Sequence, residues 1–381
     1  MEELRRAFET GAVVAGVLSG TSADGIDVVI ARIRRGGEGL LPPETLAFAV
    51  EPFPDDLRRR VRSALDGERA IGLRECALLS RDLGRAFGRA ARAVAERQGL
   101  PLDLVASHGQ TVWHHDGAEP SGAATLQLGD GDFVAEEAGC AVASDFRQRD
   151  VAAGGEGAPL SALADGLVFA AAPRPAAILN LGGMANLTYL GEREEDLIAF
   201  DTGPAGSLLD GLARRLLGEP CDRDGARAAR GAPRKDLVLS WLADPFFARR
   251  PPKSTGRDTF GERWVAEIVQ RARGVRAEDL LASAVELVAV SVADALERFV
   301  PPVDRLLVAG GGVRNAALLA ALARRVPCAI AGTEEVGVDP KSREALVFAV
   351  LGARCALGIP STHPGATGAR RGAVLGKLSR A

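Results

Sequence analysis

Apolar and polar positions along the chain fall into two kinds of block. Short unbroken apolar runs, Val13 to Leu18 and Ile26 to Ile33, read as buried strands, with the polar turn Ser19-Gly20-Thr21-Ser22-Ala23-Asp24-Gly25 between them. Residues 56 to 98 instead carry Leu, Ala and Val at helical spacing with arginine on the remaining faces, which predicts two helices. Gly99 and Pro101 stop the second helix. Leu102 to Ala106 predicts a buried strand that delivers Ser107-His108-Gly109-Gln110-Thr111 on a loop at its tip. A helix from Asp132 to Gly139 and a strand from Ala141 to Ser144 follow.

The opening arrangement then recurs. Residues 176 to 190, AAILNLGGMANLTYL, again place an apolar run, a Gly/Asn turn and another run in succession. Asp196 to Phe200 predicts a strand ending on DTGPAGSLLDGLARRL, a loop that opens a helix. Residues 303 to 325 read as strand, Gly310-Gly311-Gly312 and helix, with Asn315 near the helix start. Each half thus has a polar hairpin turn first and a strand with a glycine loop later. Two α/β domains built this way would offer backbone N–H donors to the space between them, where ligands favour binding. One glycine turn serves equally well to supply a positive φ. Three in duplicated order favour a binding role.

Composition narrows the function classes. A chain of 381 residues is long enough for two domains, and 47% apolar with 25% charged residues fits a packed interior. Only 4% is aromatic and the net charge is −3, so neither base-stacking platforms nor attraction to polyanions is expected, and no nucleic-acid partner. The positive charge is nearly all arginine; the lysines are Lys235, Lys253, Lys341 and Lys377. Five scattered cysteines without CxxC pairing suit free thiols in a reducing cytoplasm, and His114, His115 and His363 form no metal pattern with them. The apolar run near the N-terminus is too short to span a bilayer and has the wrong flanks for a signal peptide, so no membrane partner is expected.

The turn from Gly20 to Asp27 suits an anion. Small residues let the backbone approach a phosphate, Thr21 and Ser22 offer hydroxyls, and Asp24 or Asp27 could hold magnesium directly or through water. GxxxxGK[ST] occurs nowhere, and no GxGxxG opens a helix near the N-terminus. Phosphate binding by a hairpin turn remains.

Taken together, SGTSADGID, SHGQTVWH, DFRQRDVAAGGEGAPL, NLGGMANLT, FDTGPAGSLLD, PKSTGRDTF and VAGGGVRN occur in an order and spacing that resembles the anhydro-N-acetylmuramic acid kinase family, within the hexokinase/actin/Hsp70-like ATPase superfamily. The resemblance covers almost the whole chain. It implies an α/β fold of duplicated ribonuclease H-like (actin-like ATPase) domains forming two lobes around an interdomain cleft. We place the first lobe at 1–141 plus about 360–381 and the second at 142–359. The resemblance also implies ATP and Mg2+ as cofactors. Gly20, Thr21, Ser22, Ala23, Asp24, Gly25, Ile26 and Asp27 would form the first phosphate hairpin, Gly182-Gly183 the second, and Gly310-Gly311-Gly312 the adenosine-side loop. The implied reaction phosphorylates O6 of 1,6-anhydro-N-acetylmuramic acid and opens its ring with water during peptidoglycan recycling; a homodimer is implied as well. Kinase action on another amino sugar, and a sugar- or nucleotide-binding regulator without catalysis, are the competing readings.

By resemblance Asp201 is the base. Its place after a buried strand fits independently, and the alternative is an N-cap of the following helix. Glu344 matches a sugar-facing glutamate, or is a solvated first-turn residue. Arg147 and Arg149 have the fork geometry for the lactyl carboxylate or a phosphate, with one of them equally a surface arginine beside Asp145 or Asp150. His108 and Gln110 would contact the sugar, with a structural role as the alternative for His108. Lys253 is open between structural and substrate-side roles. Two departures stand out: Glu156 where the family commonly reads Gln, and Ala205-Gly206 where it reads Gly-Asn.

Overall fold

The computed structural model describes residues 2–20, 23, 25–65, 71–117 and 122–381. The chain divides into two compact units, Met1–Ala171 with Ser342–Ala381, and Ala172–Lys341.

In the first unit, β1 (Ala12–Ser19), β2 (Ile26–Ile33) and β3 (Glu44–Glu51) form an antiparallel meander. β4 (Leu104–Asp116) then lies parallel to β1, and β5 (Ala123–Leu128) folds back along its far end. β6 (Ala141–Ser144) is parallel to β4, and the C-terminal strand Lys377–Ser379 closes that edge. β1 is buried at every position because both faces of the sheet are covered. The helix Leu73–Arg97 covers one face through Leu79, Leu83, Phe87, Ala91 and Val94. The helix Arg343–Leu357 packs on β1 so closely that a Cβ at Gly16 would lie 1.9 Å from the Ala345 carbonyl oxygen. Only glycine permits that approach.

The second unit repeats the theme. β7 (Ala176–Leu181), β8 (Met184–Leu190) and β9 (Ile198–Pro204) are an antiparallel meander, β10 (Arg305–Ala309) is parallel to β7, and β11 (Ala329–Gly332) is parallel to β10. The strand order β9-β8-β7-β10-β11 matches β3-β2-β1-β4-β6 of the first unit. This is the duplicated ribonuclease H-like fold. The helices Gly206–Leu217 and Ala277–Phe299 cover one core, where Phe200, Phe246, Phe247, Phe260 and Trp264 gather.

Three expectations shift. The unit boundaries fall at 171/172 and 341/342 rather than near 141/142 and 359/360. The reason is packing: β6 is held between β4 and the C-terminal strand, and the helix 343–357 covers β1, so both belong to the first unit. The strand expected over Leu102 to Ala106 runs to Asp116, so SHGQTVWHH is strand rather than loop. The strand expected to stop at Phe200 continues through Pro204 and contains Asp201. No helix among the described residues is long and apolar enough to cross a membrane.

Candidate active site

In the first unit the hairpin between β1 and β2 carries Gly20, whose α-carbon faces open space. Its carbonyl accepts from Ala23 N at 3.1 Å and from Gln110 Nε2 at 3.3 Å. Thr21, Ser22 and Asp24 lie outside the described residues. Ala23, at φ +50°, and Ile26 are buried in the core, so their side chains brace the turn. Gly25 lies against β3, where a Cβ would meet Val50 Cγ1 at 2.7 Å. Asp27 sits half-buried at the start of β2 opposite Leu18.

β4 contributes the next groups. Val17 pairs with Ser107 and Leu18 with Gly109, so His108 is the extra residue of a β-bulge, and Gly109 takes φ +79° to allow it. Bulging re-aims the imidazole. It lies 4.4 Å from the Phe348 ring centroid, its Nδ1 is 3.1 Å from the Gly109 carbonyl, and its Nε2 accepts from Arg147 Nε at 3.0 Å. Those partners require Nδ1–H and a bare Nε2. Burial, with the Arg147 charge, holds His108 well below the usual histidine pKa. Gln110 is fully buried, and its Oε1 has no hydrogen-bond partner among the described residues, an expensive arrangement of the sort retained at functional sites.

Arg147 and Arg149 part company. On the helix Phe146–Ala152, Arg147 also donates to the Gly157 carbonyl at 2.7 Å, while Arg149, two residues on and roughly opposite, is exposed. The loop after this helix is fixed by Asp150, which accepts from Gly157 N at 2.8 Å and from Thr367 Oγ1 at 2.7 Å. Burial pushes the Asp150 carboxyl up. Glu156 is held by its own N–H donating to the Thr367 carbonyl at 2.8 Å. Glu344 is exposed in the first turn of the helix Arg343–Leu357 and belongs to the first unit.

The neutrality of His108 has a measurable consequence. The unfolded chain binds a proton below about pH 6.5 that the folded chain refuses, so stability is full above that value and falls as the pH drops through it. Asp150 acts oppositely, because its raised carboxyl pKa favours the folded state on acidification. Between pH 7 and 5 the His108 contribution amounts to at most about 2 kcal/mol. Urea unfolding of His108→Gln, which still accepts from Arg147 but does not titrate, should show a shallower loss over this range. Identical slopes would contradict a neutral His108.

The second unit brings its four sequence motifs together. The Gly182 carbonyl accepts from Gly206 N at 2.9 Å, and the Gly183 carbonyl accepts from Ala205 N at 2.9 Å and Ser207 N at 3.0 Å. The hairpin thereby caps the helix Gly206–Leu217. Gly206 has a structural reason here: a Cβ would stand 2.9 Å from the Gly182 carbonyl oxygen. Gly310 adopts φ +85°, and a Cβ there would lie 2.7 Å from the Leu181 carbonyl oxygen, so the glycine loop rests on the end of β7. Gly311 is exposed with open space around its α-carbon, and Gly312 packs on Leu181.

Asp201 is not a helix cap. The N-cap is Ala205, and Asp201 lies within β9 opposite Asn186, next to a register shift in β8. It is 5% exposed, its N–H donates to the Lys253 carbonyl at 3.0 Å, and its Oδ2 accepts from Thr255 N at 2.8 Å. Thr255 Oγ1 is buried without a hydrogen-bond partner among the described residues. Sequence reasoning missed Thr255 because its contribution is a backbone N–H, which no residue type advertises. PKSTGRDTF was the available signal.

Such a carboxylate can accept a proton, and a hairpin with two glycine loops can meet phosphates. The family model described as anhydro-N-acetylmuramic acid kinase matches residues 12–381. The chain belongs to the anhydro-N-acetylmuramic acid kinase family. It is similar to the anhydro-N-acetylmuramic acid kinase of Gloeobacter violaceus, 40% identical over 374 residues that cover 96% of this chain and 98% of that one. The Streptomyces coelicolor relative of the same name is 41% identical over 372 residues, 96% of this chain and 93% of that one. Members of this family are sugar kinases, and the match leaves neither unit out.

Proposed function

We propose that the chain transfers the γ-phosphoryl group of ATP to O6 of 1,6-anhydro-N-acetylmuramic acid while water adds at C1. The products are N-acetylmuramic acid 6-phosphate and ADP, formed in the cytoplasm during peptidoglycan recycling by a homodimeric enzyme. One observation carries the assignment of chemistry: Asp201 is a buried carboxylate gripped at Oδ2 by the Thr255 N–H.

The substrate dictates what that carboxylate does. In the anhydro sugar O6 is locked in an acetal and carries no proton, so there is none to remove from the nucleophile. Asp201 takes its proton from water; the water oxygen bonds to C1, the C1–O6 bond breaks, and O6 attacks the γ-phosphorus as ADP leaves. Burial and the Thr255 hydrogen bond fix the direction from which the proton is accepted. In the first unit Gln110, His108 and Arg147 would bind sugar, with the neutral imidazole orienting the Arg147 guanidinium. Arg149 and Glu344 are proposed as further sugar contacts.

The nucleotide would be met by Gly20 to Asp27, Gly182-Gly183 and Gly310 to Gly312. Magnesium bound to nucleotide neutralises phosphate charge. Magnesium that arrives with a nucleotide is commonly held by one or two carboxylates together with phosphate oxygens. Asp27 is the described candidate, with Asp24 as the second.

Incubation with MgATP and the anhydro sugar, followed by mass spectrometry, tests the proposal. The 6-phosphate is expected. Turnover of ring-opened N-acetylmuramic acid with none of the anhydro sugar would make the chain an ordinary amino sugar kinase, and nucleotide binding without turnover of either would make it a regulator.

A further inference from the structure

Aromatic residues are scarce in this chain, yet three of them converge on one ammonium. Lys253 is 2% exposed, and its Nζ lies 4.6 Å from the Phe246 ring centroid, 5.5 Å from Phe299 and 6.0 Å from Phe200. The same Nζ donates to the Phe246 carbonyl at 3.2 Å and to the Phe247 carbonyl at 3.5 Å. Cation–π attraction and carbonyl acceptors compensate a buried charge, but an apolar side chain would fill this space without incurring the desolvation at all.

The main chain around this lysine gives the charge a purpose. The Lys253 carbonyl receives the Asp201 N–H at 3.0 Å, and Thr255 N–H reaches Asp201 Oδ2 at 2.8 Å. Phe200, one wall of the cage, is the residue before Asp201. One segment therefore holds the carboxylate through its backbone while its side chain is anchored to the segment 246–247. The charged groups acting on the ammonium are Arg249 and Arg298, which oppose it, and Asp294 and Asp201, which favour it. Burial, reinforced by the two arginines, pushes the ammonium down to about 8.

We propose that Lys253 is a positioning residue for Asp201: its caged ammonium anchors the segment that grips the carboxylate, and its charge favours the ionised base. The inference rests on Asp201 being the base of the proposed reaction. It predicts more than a structural lysine would, because removing the charge should alter how the base titrates.

In Lys253→Met the cage stays filled and the charge is lost. The expected result is a kcat lowered roughly 10- to 100-fold, KM for ATP and sugar within about threefold of wild type, and an acidic limb of the pH profile moved upward by about half a unit or more. Unchanged kcat and an unmoved limb, or a loss confined to KM, would overturn the assignment. A second measurement needs no variant at position 253. With lysine labelled by nitrogen-15, one of the chain's ammonium groups should titrate near 8 in wild type and at lower pH in Asp201→Asn, because the carboxylate that favours the ammonium is gone. A titration indifferent to Asp201→Asn would overturn the coupling. If wild type fails to convert the anhydro sugar, the proposed reaction falls, and the nuclear magnetic resonance titration still decides whether Lys253 and Asp201 act on each other.

Discussion

Asp201→Asn is expected to lower kcat by at least ~100-fold while leaving ATP affinity within about twofold of wild type. The substitution is conservative in shape. Asparagine can still accept from Thr255 N through its side-chain oxygen, and its own N–H can still donate to the Lys253 carbonyl. What it cannot do is hold a proton taken from water. The nucleotide contacts proposed for Gly182-Gly183 and Gly310 to Gly312 come from main chain on other elements, so binding should survive. Steady-state kinetics and calorimetric ATP binding measured together would separate the two effects. A variant with near-normal kcat would remove Asp201 from its role, and lost ATP binding would reassign it to the nucleotide.

The largest expected effect on stability comes from Arg343. Its side chain is 2% exposed and that of Asp165 is fully buried; Nε donates to Asp165 Oδ1 at 3.0 Å, Nη2 donates to Oδ2, and Ser161 Oγ accepts at 3.3 Å. Arg343→Met removes the guanidinium that neutralises a buried carboxylate, and breaking such a pair from one side typically costs about 3–5 kcal/mol. The double variant Arg343→Met with Asp165→Leu leaves no orphan charge, so it should recover most of that loss. Urea unfolding of wild type, single and double variants provides the comparison. A single variant within about 1 kcal/mol of wild type would show that the pair is not held as tightly as its geometry indicates.

The two hairpins were legible in the sequence because each Gly-containing turn separates two short, largely buried apolar runs, and the Gly310-Gly311-Gly312 loop because it stands between such a run and a helix with a single buried stripe. His108 was legible as a candidate but not in its setting. Nothing local announces a bulge inside a strand, and only the register with β1 places it there. The unit boundaries misled for a related reason: β6 and the helix Arg343–Leu357 join the first unit through partners far away in sequence. Arg147 and Arg149 look alike in DFRQRD, and helical geometry alone separates the anchored one from the exposed one. Lys253 stood undecided because an aromatic cage is assembled from three separate segments.

The claim that a water activated by Asp201 opens the ring while O6 takes the phosphoryl group is tested most directly by isotope. Turnover of MgATP and 1,6-anhydro-N-acetylmuramic acid in water labelled with oxygen-18 should place the label at C1 of the sugar product and leave its phosphate unlabelled. Label in the phosphate, with the sugar's C1 oxygen unlabelled, would contradict the account.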